Sequence, residues 1–399
     1  MTGAPRGGTG THLEPLPVPA GPASLRLLPR LAAALAGGAP VLPYAASSPP
    51  PSVPPAGTTG MPDDLAVVVG TSGSTGSPKL AMLTTGALRA SAAATHERLG
   101  GPGQWLLPLP AHHVAGLQVL LRSLDAGTEP VVLDVADGFS PAAFVAATAR
   151  FAPGVRRYTS LVPTQLVRLL DHSGGGDALA TYDAVLVGGA ALPPSLRARA
   201  GGAAVPVVAT YGMSETCGGC VYDGRALPCT HVALDEDGRV RLGGATLAAG
   251  YLGRPDLTAA AFVTDADGSR WFRTDDAGRV DADGRLHVDG RLDDLINTGG
   301  LKVAPRVVEE AIVAHVPGVR EVVVVGTPHP EWGQAVSALV VAGPGAAADP
   351  LTAADLRAAL RGILPAHALP VRALQVTDVP LTGPGKPDRR SIAAMFTVG

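Results

Sequence analysis

Short apolar, largely β-branched runs, Leu65 to Val69, Val131 to Leu133, Ala184 to Val187 and Val205 to Ala209, alternate along the chain with Ala/Leu/Arg segments of helical spacing such as Pro163 to Leu170. Strands that are apolar on both faces and separated by helices predict an α/β fold with a parallel sheet. Residues 39 to 57 carry seven prolines and predict an irregular connection, because proline lacks the amide donor. Between about 232 and 290 the pattern changes to strands joined by Asp237-Gly238, Asp267-Gly268 and Asp283-Gly284, dipeptides that accept the positive φ of tight hairpins. These Asp-x-Asp-Gly pieces lack the later ligands of a calcium loop.

A second unit starts near residue 295. Pro305 suits a first helical turn, and Val308, Ala311, Ile312 and His315 follow at helical spacing before a strand over Glu321 to Val325 and another over Ala338 to Ala342. Thr352 with Asp355 forms a capping-box pair that opens a helix with Leu356, Leu360 and Ile363 on one face. This predicts a small α+β unit.

Composition narrows the function classes. The chain has 399 residues, enough for two or three domains at roughly 150 residues each. A net charge of −3 provides no field for gripping nucleic acid or an anionic membrane, which leaves small molecules as the expected partners. The apolar stretches fall far short of the roughly 20 residues that span a bilayer, so no membrane insertion is expected. The first 15 residues do not read as a secretory signal, and the cytoplasm is the expected location. Three cysteines, Cys217, Cys220 and Cys229, exclude a disulfide framework. With His231 they allow a zinc or redox reading, against which stands a simpler one of small residues lining a turn.

Thr71-Ser-Gly-Ser-Thr-Gly-Ser-Pro-Lys79 follows the first buried strand. Its hydroxyls, glycines and closing lysine are what a loop needs to wrap polyphosphate oxygens. It is not a Walker loop, since Lys79 follows proline and precedes leucine. The run resembles the phosphate loop of the adenylate-forming superfamily, and further matches follow in that family's order. The resemblance implies that Thr71, Ser72, Gly73, Ser74, Thr75, Gly76 and Lys79 hold phosphate. Tyr211-Gly-Met-Ser-Glu-Thr216 is similar to the family's Tyr-Gly-x-Thr-Glu loop, which implies Tyr211 and Gly212 at adenine, Ser214 at the α-phosphate and Glu215 on magnesium. Trp271-Phe-Arg-Thr-Asp-Asp-Ala-Gly278 resembles the Thr-Gly-Asp segment and puts Asp276 at the ribose, with Asp275 in place of the usual glycine. Gly290-Arg-Leu-Asp-Asp-Leu-Ile-Asn-Thr-Gly-Gly-Leu-Lys-Val303 resembles the hinge motif. It implies Arg291 at ribose or phosphate, Asp293 as the hinge, and Gly299 and Gly300 beside the pantetheine thiol. Thr382-Gly-Pro-Gly-Lys-Pro-Asp-Arg389 resembles the C-terminal signature and makes Lys386 the candidate adenylation lysine.

The resemblance therefore implies an α/β architecture with a large N-terminal AMP-binding domain of shortened start, residues 1–290. A hinge at 291–294 and a mobile C-terminal α+β domain at 295–399 complete it. It implies ATP and Mg2+, with coenzyme A as co-substrate, and a homodimer as the family expectation. Short chains of this form resemble actinobacterial o-succinylbenzoate:CoA ligases of menaquinone biosynthesis. Tyr158-Thr-Ser-Leu-Val-Pro-Thr-Gln-Leu166, Tyr211 to Gly224 and Pro110-Ala-His-His-Val-Ala-Gly116 carry that narrower likeness. It implies an acyl pocket walled by His113, Thr159, Ser160 and Gln165, with Gly188, Gly189 and Ala190 at the adenine and acyl side. A core histidine is the alternative for His113, and core packing the alternative for the Thr159 segment. The competing functions are a synthetase for another aromatic or medium-chain acid, a peptide-synthetase adenylation domain, a nucleotide-binding module that has lost catalysis, and a zinc-binding interaction protein.

Overall fold

A computed structural model describes residues 12–53, 60–71, 79–343, 349–382 and 386–396. The phosphate-loop residues Ser72 to Gly76 lie outside them. Among the described residues, four sheets of four or more strands organise the chain. In the first, β1 (Glu14–Val18), β2 (Val41–Ala45) and β3 (Leu65–Thr71) run parallel, and β4 (Lys79–Thr84) returns antiparallel to β3. The strand β2 corrects the expectation of an irregular connection over 39 to 57. It pairs with β1 at five positions but with β3 only at Val41↔Val67, so Pro43 stands beyond the point where its second edge needs a donor.

The second sheet holds β5 (Gln104–Leu107), β6 (Val131–Val132), β7 (Arg157–Leu161), β8 (Ala184–Val187), β9 (Val207–Met213), β10 (Gly218–Tyr222) and β11 (Arg225–Ala226). Their order is β11-β10-β9-β8-β7-β5-β6, parallel from β6 through β9 and antiparallel at β10 and β11. The apolar run Leu65 to Val69 lies in β3 of the first sheet, and the runs at 131–133, 184–187 and 205–209 fall on β6, β8 and β9 here, with Val185, Leu186 and Val187 all buried. The helix Pro163–Asp171 follows β7, and its start is fastened by Gln165, whose Oε1 accepts from the Val162 amide at 3.0 Å.

The third sheet is antiparallel: β12 (Thr230–Leu234), β13 (Arg239–Gly244), β14 (Phe262–Thr264), β15 (Arg270–Val280) and β16 (Leu286–Arg291). Gly238, Gly268 and Gly284 turn its hairpins at φ of 78°, 86° and 74°, as the Asp-Gly dipeptides predict.

The fourth sheet contains β17 (Ile296–Thr298), β18 (Leu301–Val303), β19 (Val319–His329), β20 (Gly333–Ala342) and β21 (Arg372–Val376), with helices Pro305–His315 and Ala353–Leu360. Thr352 caps the second helix reciprocally: its hydroxyl accepts from the Asp355 amide at 3.3 Å, and Asp355 accepts from the Thr352 amide at 2.9 Å. Leu356 and Leu360 are buried, but the helix ends at Leu360 and leaves Ile363 45% exposed, which corrects its place on the apolar face. Among the described residues, every cluster of buried apolar side chains falls wholly before residue 289 or wholly after 295.

Candidate active site

Open parallel sheets bind ligands at the carboxyl ends of their strands. Here Gly188 and Gly189 follow β8, Tyr211, Gly212 and Met213 end β9, and Ser214 and Glu215 form the tight turn that leads into β10. Close backbone approach fixes the glycines. A Cβ on Gly188 would stand 2.3 Å from Thr210 Oγ1, and one on Gly212 would stand 2.1 Å from the Gly218 carbonyl oxygen.

The Tyr211 hydroxyl donates to Asp276 Oδ2 at 2.6 Å, and Asp276 is the register partner of Arg291 across β15 and β16. Burial raises the Asp276 pKa above the ordinary carboxylate range, and burial followed by the Asp276 charge raises that of Tyr211. Arg291 donates to both carboxylate oxygens of Asp293, at 2.8 and 3.1 Å, and to Asp275 at 3.4 Å. The Asp293 hydrogen bonds hold the guanidinium charged and lower the Asp293 pKa. The aspartate at position 275, unexpected beside the nucleotide residues, is thus a second carboxylate for Arg291. Gly189, Tyr211, Gly212, Asp276 and Arg291 line one cleft of about 940 Å³, together with Arg306, Glu309, Glu310 and Arg389.

The ends of the phosphate loop are fixed by the pair Thr71↔Lys79, the last rung of the β3–β4 hairpin. Glu215 is 8% exposed, and burial raises its pKa while a hydrogen bond from Tyr251, then the Lys79 charge, act the other way. The Tyr251 hydroxyl donates to Glu215 Oε1 at 2.8 Å, and Lys79 Nζ sits over the Tyr251 ring, 5.3 Å from its centroid. Tyr251 was not among the residues picked out from the sequence. Its only signal there is an aromatic side chain within the small-residue stretch Ala248-Ala-Gly-Tyr-Leu-Gly253. One buried carboxylate beside a lysine fits magnesium, which commonly takes one or two carboxylates and completes its shell with substrate phosphates and water. Among the described residues no group of three His, Cys, Asp or Glu side chains is arranged to hold a metal. Cys217 and Cys220 are fully buried, with burial pushing the Cys220 thiol up to about 12, so the zinc reading finds no ligand set there.

The residues expected at the acyl group divide into two kinds. Ser160 ends up near the carboxyl end of β7, and His113 is exposed just before the helix Val114–Asp125, its ring 4.2 Å from that of His112. Burial, then the neighbouring His113, lowers the His112 pKa to about 4. Thr159 and Gln165 each hold neighbouring backbone in place. The Thr159 hydroxyl donates to the Leu106 carbonyl at 3.1 Å, and Gln165 Nε2 donates to the Pro108 carbonyl at 2.9 Å.

Gly299 and Gly300 form the β17–β18 turn, both at positive φ (58° and 83°), and the Gly299 amide donates to the Trp332 carbonyl. Neither glycine lines the cleft. The backbone of Lys386 pairs with Thr382 in a short antiparallel ladder. Arg389, which closes the same sequence segment, donates to Glu309 at 3.0 Å and stands 3.8 Å from Asp294. Arg306 reaches from its helix to the Val288 carbonyl of β16 at 2.7 Å.

Residues 28–285 match the family described as AMP-binding enzyme, and residues 308–386 match the AMP-binding enzyme C-terminal domain. The chain is 45% identical over 389 residues to a probable 2-succinylbenzoate--CoA ligase of Mycobacterium tuberculosis, covering 96% of this chain and 98% of that protein. Among solved structures, it resembles Escherichia coli MenE with a bound analogue of OSB-AMS (TM-score 0.73, 25% identity, 98% of this chain and 89% of that one). It also resembles Bacillus subtilis o-succinylbenzoate CoA synthetase (MenE) in complex with the acyl-adenylate intermediate OSB-AMP (TM-score 0.69, 25% identity, 88% and 74%).

Proposed function

The chain belongs to the AMP-binding enzyme family, and from that premise we propose that it is an ATP-dependent 2-succinylbenzoate:CoA ligase. The observation that carries this reading is the near full-length likeness, on both sides, to the mycobacterial ligase. The reaction follows in two steps. A carboxylate oxygen of the acid attacks the α-phosphorus of ATP and pyrophosphate leaves. The thiol of coenzyme A then attacks the carbonyl carbon of the acyl-adenylate and AMP leaves.

The residue roles are carried from the family resemblance, with the geometry as support. Tyr211 and Asp276 form one hydrogen-bonded unit at the nucleoside, with Gly188, Gly189 and Gly212 letting the backbone come close. Lys79, at the base of the phosphate loop, meets charge that builds on the departing phosphates, and Lys386 is the second cation for that step. Magnesium would be held by Glu215 and would neutralise phosphate charge when bound. Ser160 and His113 stand at the acyl side. We place the domain boundary at 291–294, with Asp293 as the hinge. The division of the apolar cores between residues 288 and 296 supports it. Rotation about this point would exchange Lys386 for the Gly299–Gly300 turn and so let one site serve both steps. Three free cysteines suit a reducing compartment, and we place the enzyme in the cytoplasm.

The test is pyrophosphate release from the purified protein with magnesium-ATP and 2-succinylbenzoate, with and without coenzyme A, against benzoate and a medium-chain fatty acid. Turnover specific to 2-succinylbenzoate, with AMP and the CoA thioester as products, is expected. Turnover with a different acid alone would replace the substrate and keep the reaction class.

A further inference from the structure

Residues 245–254, between β13 and the helix Pro255–Ala261, are irregular, yet they are laced to both halves of the phosphate site. The Ala249 amide donates to the Met82 carbonyl, Met82 to Gly250 and Leu252 to Leu80, each at 2.8 to 2.9 Å, so this stretch lies along β4 just past Lys79. Ala81↔Tyr251 is an isolated antiparallel bridge in the same run. On the other side the Ala248 amide donates to the Glu215 carbonyl at 2.8 Å. Arg270 clamps the segment from below, donating to the Ala248 and Ala249 carbonyls at 2.8 Å each. Tyr251 itself is 3% exposed and stands between the two functional groups, its hydroxyl on the Glu215 carboxylate and its ring face under the Lys79 ammonium.

We propose that Tyr251 is a positioning residue that sets the separation and orientation of the Lys79 ammonium and the Glu215 carboxylate, and so the seat of the metal–polyphosphate group. The proposal rests on the reading of Glu215 as the magnesium carboxylate. Two physical effects support it. A hydrogen bond to an ionised carboxylate in a buried site is charge-assisted and directional, so it fixes which oxygen faces the phosphates. A cation over an aromatic face keeps its charge available while its chain is held in place. One side chain thus couples two groups that come from separate sheets.

The experiment is calorimetric titration of ATP into the full chain, once with Mg2+ and once with EDTA, for the wild type, Tyr251→Phe, Tyr251→Leu and Glu215→Gln. Tyr251→Phe keeps the ring and removes only the hydroxyl. It should lose roughly tenfold of the affinity gain that Mg2+ confers, the size of one charge-assisted bond, while its affinity in EDTA stays at the wild-type value. Tyr251→Leu should in addition lower the affinity in EDTA, because Lys79 loses its ring. Equal losses with and without Mg2+ in Tyr251→Phe, or none, overturn the proposal. Glu215→Gln separates the two readings. If it loses the Mg2+ gain while Tyr251→Phe keeps it, only the role of Tyr251 falls; if it keeps the gain, the carboxylate is not the ligand and both fall. Should Tyr251→Leu fail to fold, Tyr251→Phe and Glu215→Gln, which change a single polar group each, still decide the matter.

Discussion

The Tyr211 phenol and the Asp276 carboxylate are joined at 2.6 Å although they come from different sheets, one from the end of β9 and the other from β15. That bond ties the parallel sheet to the antiparallel one at the mouth of the cleft. On the proposed reading it also leaves a single Asp276 oxygen for a nucleoside hydroxyl. The proposed nucleoside side of the site would then be in place before any ligand arrives, which lowers the ordering cost of binding.

Asp276→Asn keeps an acceptor for Tyr211 and removes the charge. Because burial raises the native pKa of Asp276, the ionised form is disfavoured in the fold. The penalty is complete above that native pKa and absent below the unfolded value of about 4. The Asp276→Asn variant should therefore melt higher than the parent near neutral pH, with the difference closing as the pH falls towards about 4. ATP affinity should drop about tenfold, the loss of a charge-assisted bond. Thermal unfolding across pH and nucleotide titration check the two halves.

Lys386→Ala should lower the rate of pyrophosphate release by about 100-fold or more, the scale of losing one preorganised charge at a transition state. Thioester formation from chemically supplied acyl-adenylate should survive. An equal loss in both steps would show that the lysine serves folding instead.

Gly212→Ala places a methyl group against the Gly218 carbonyl, where it would have only 2.1 Å. Overpacking of this kind costs about 1–3 kcal/mol, and it moves Tyr211 with it. A lower melting midpoint together with weakened ATP binding is expected. Retention of either would mean that the β9–β10 pair relaxes around the methyl.

Arg306→Ala removes the 2.7 Å bond to the Val288 carbonyl that links a helix of the fourth sheet to β16. A bond from a charged donor contributes about 1.5–3 kcal/mol, so the present arrangement of the two parts should lose most of its preference. Small-angle scattering should report a broader distribution of sizes. The ratio of adenylate released to thioester formed should change, with the first-step rate nearly unaltered.

Local chemistry was legible in the sequence wherever it was written in neighbouring residues. The three Asp-Gly turns, the reciprocal cap of Thr352 and Asp355, and the apolar strands β3 and β8 each depend on a few adjacent positions. Tyr251 was not legible, because its role comes from partners brought in from Lys79 and Glu215 by pairing between distant segments. Pro43 in β2 misled for a related reason: a proline disfavours a strand only where both edges need donors. Gln165 and Thr159 show a different limit, since the same polar groups can face a ligand or finish a turn, and only the three-dimensional neighbours decide. The coincidence of Asp276 with Arg291 across β15 and β16 was likewise set by register rather than by spacing.

If the apolar clusters that stop at Val288 and resume at Ile296 mark the proposed domain boundary, this chain holds more than one cooperative unit. Its heat-capacity trace should then be a sum of transitions, and no single midpoint stands for the whole. A nucleotide held chiefly by the Tyr211–Asp276 pair, as proposed, would raise the transition of the part that carries those residues by mass action and leave the other close to where it was. Calorimetry with and without ATP thus becomes a map, in temperature, of which portion of the chain a ligand grips.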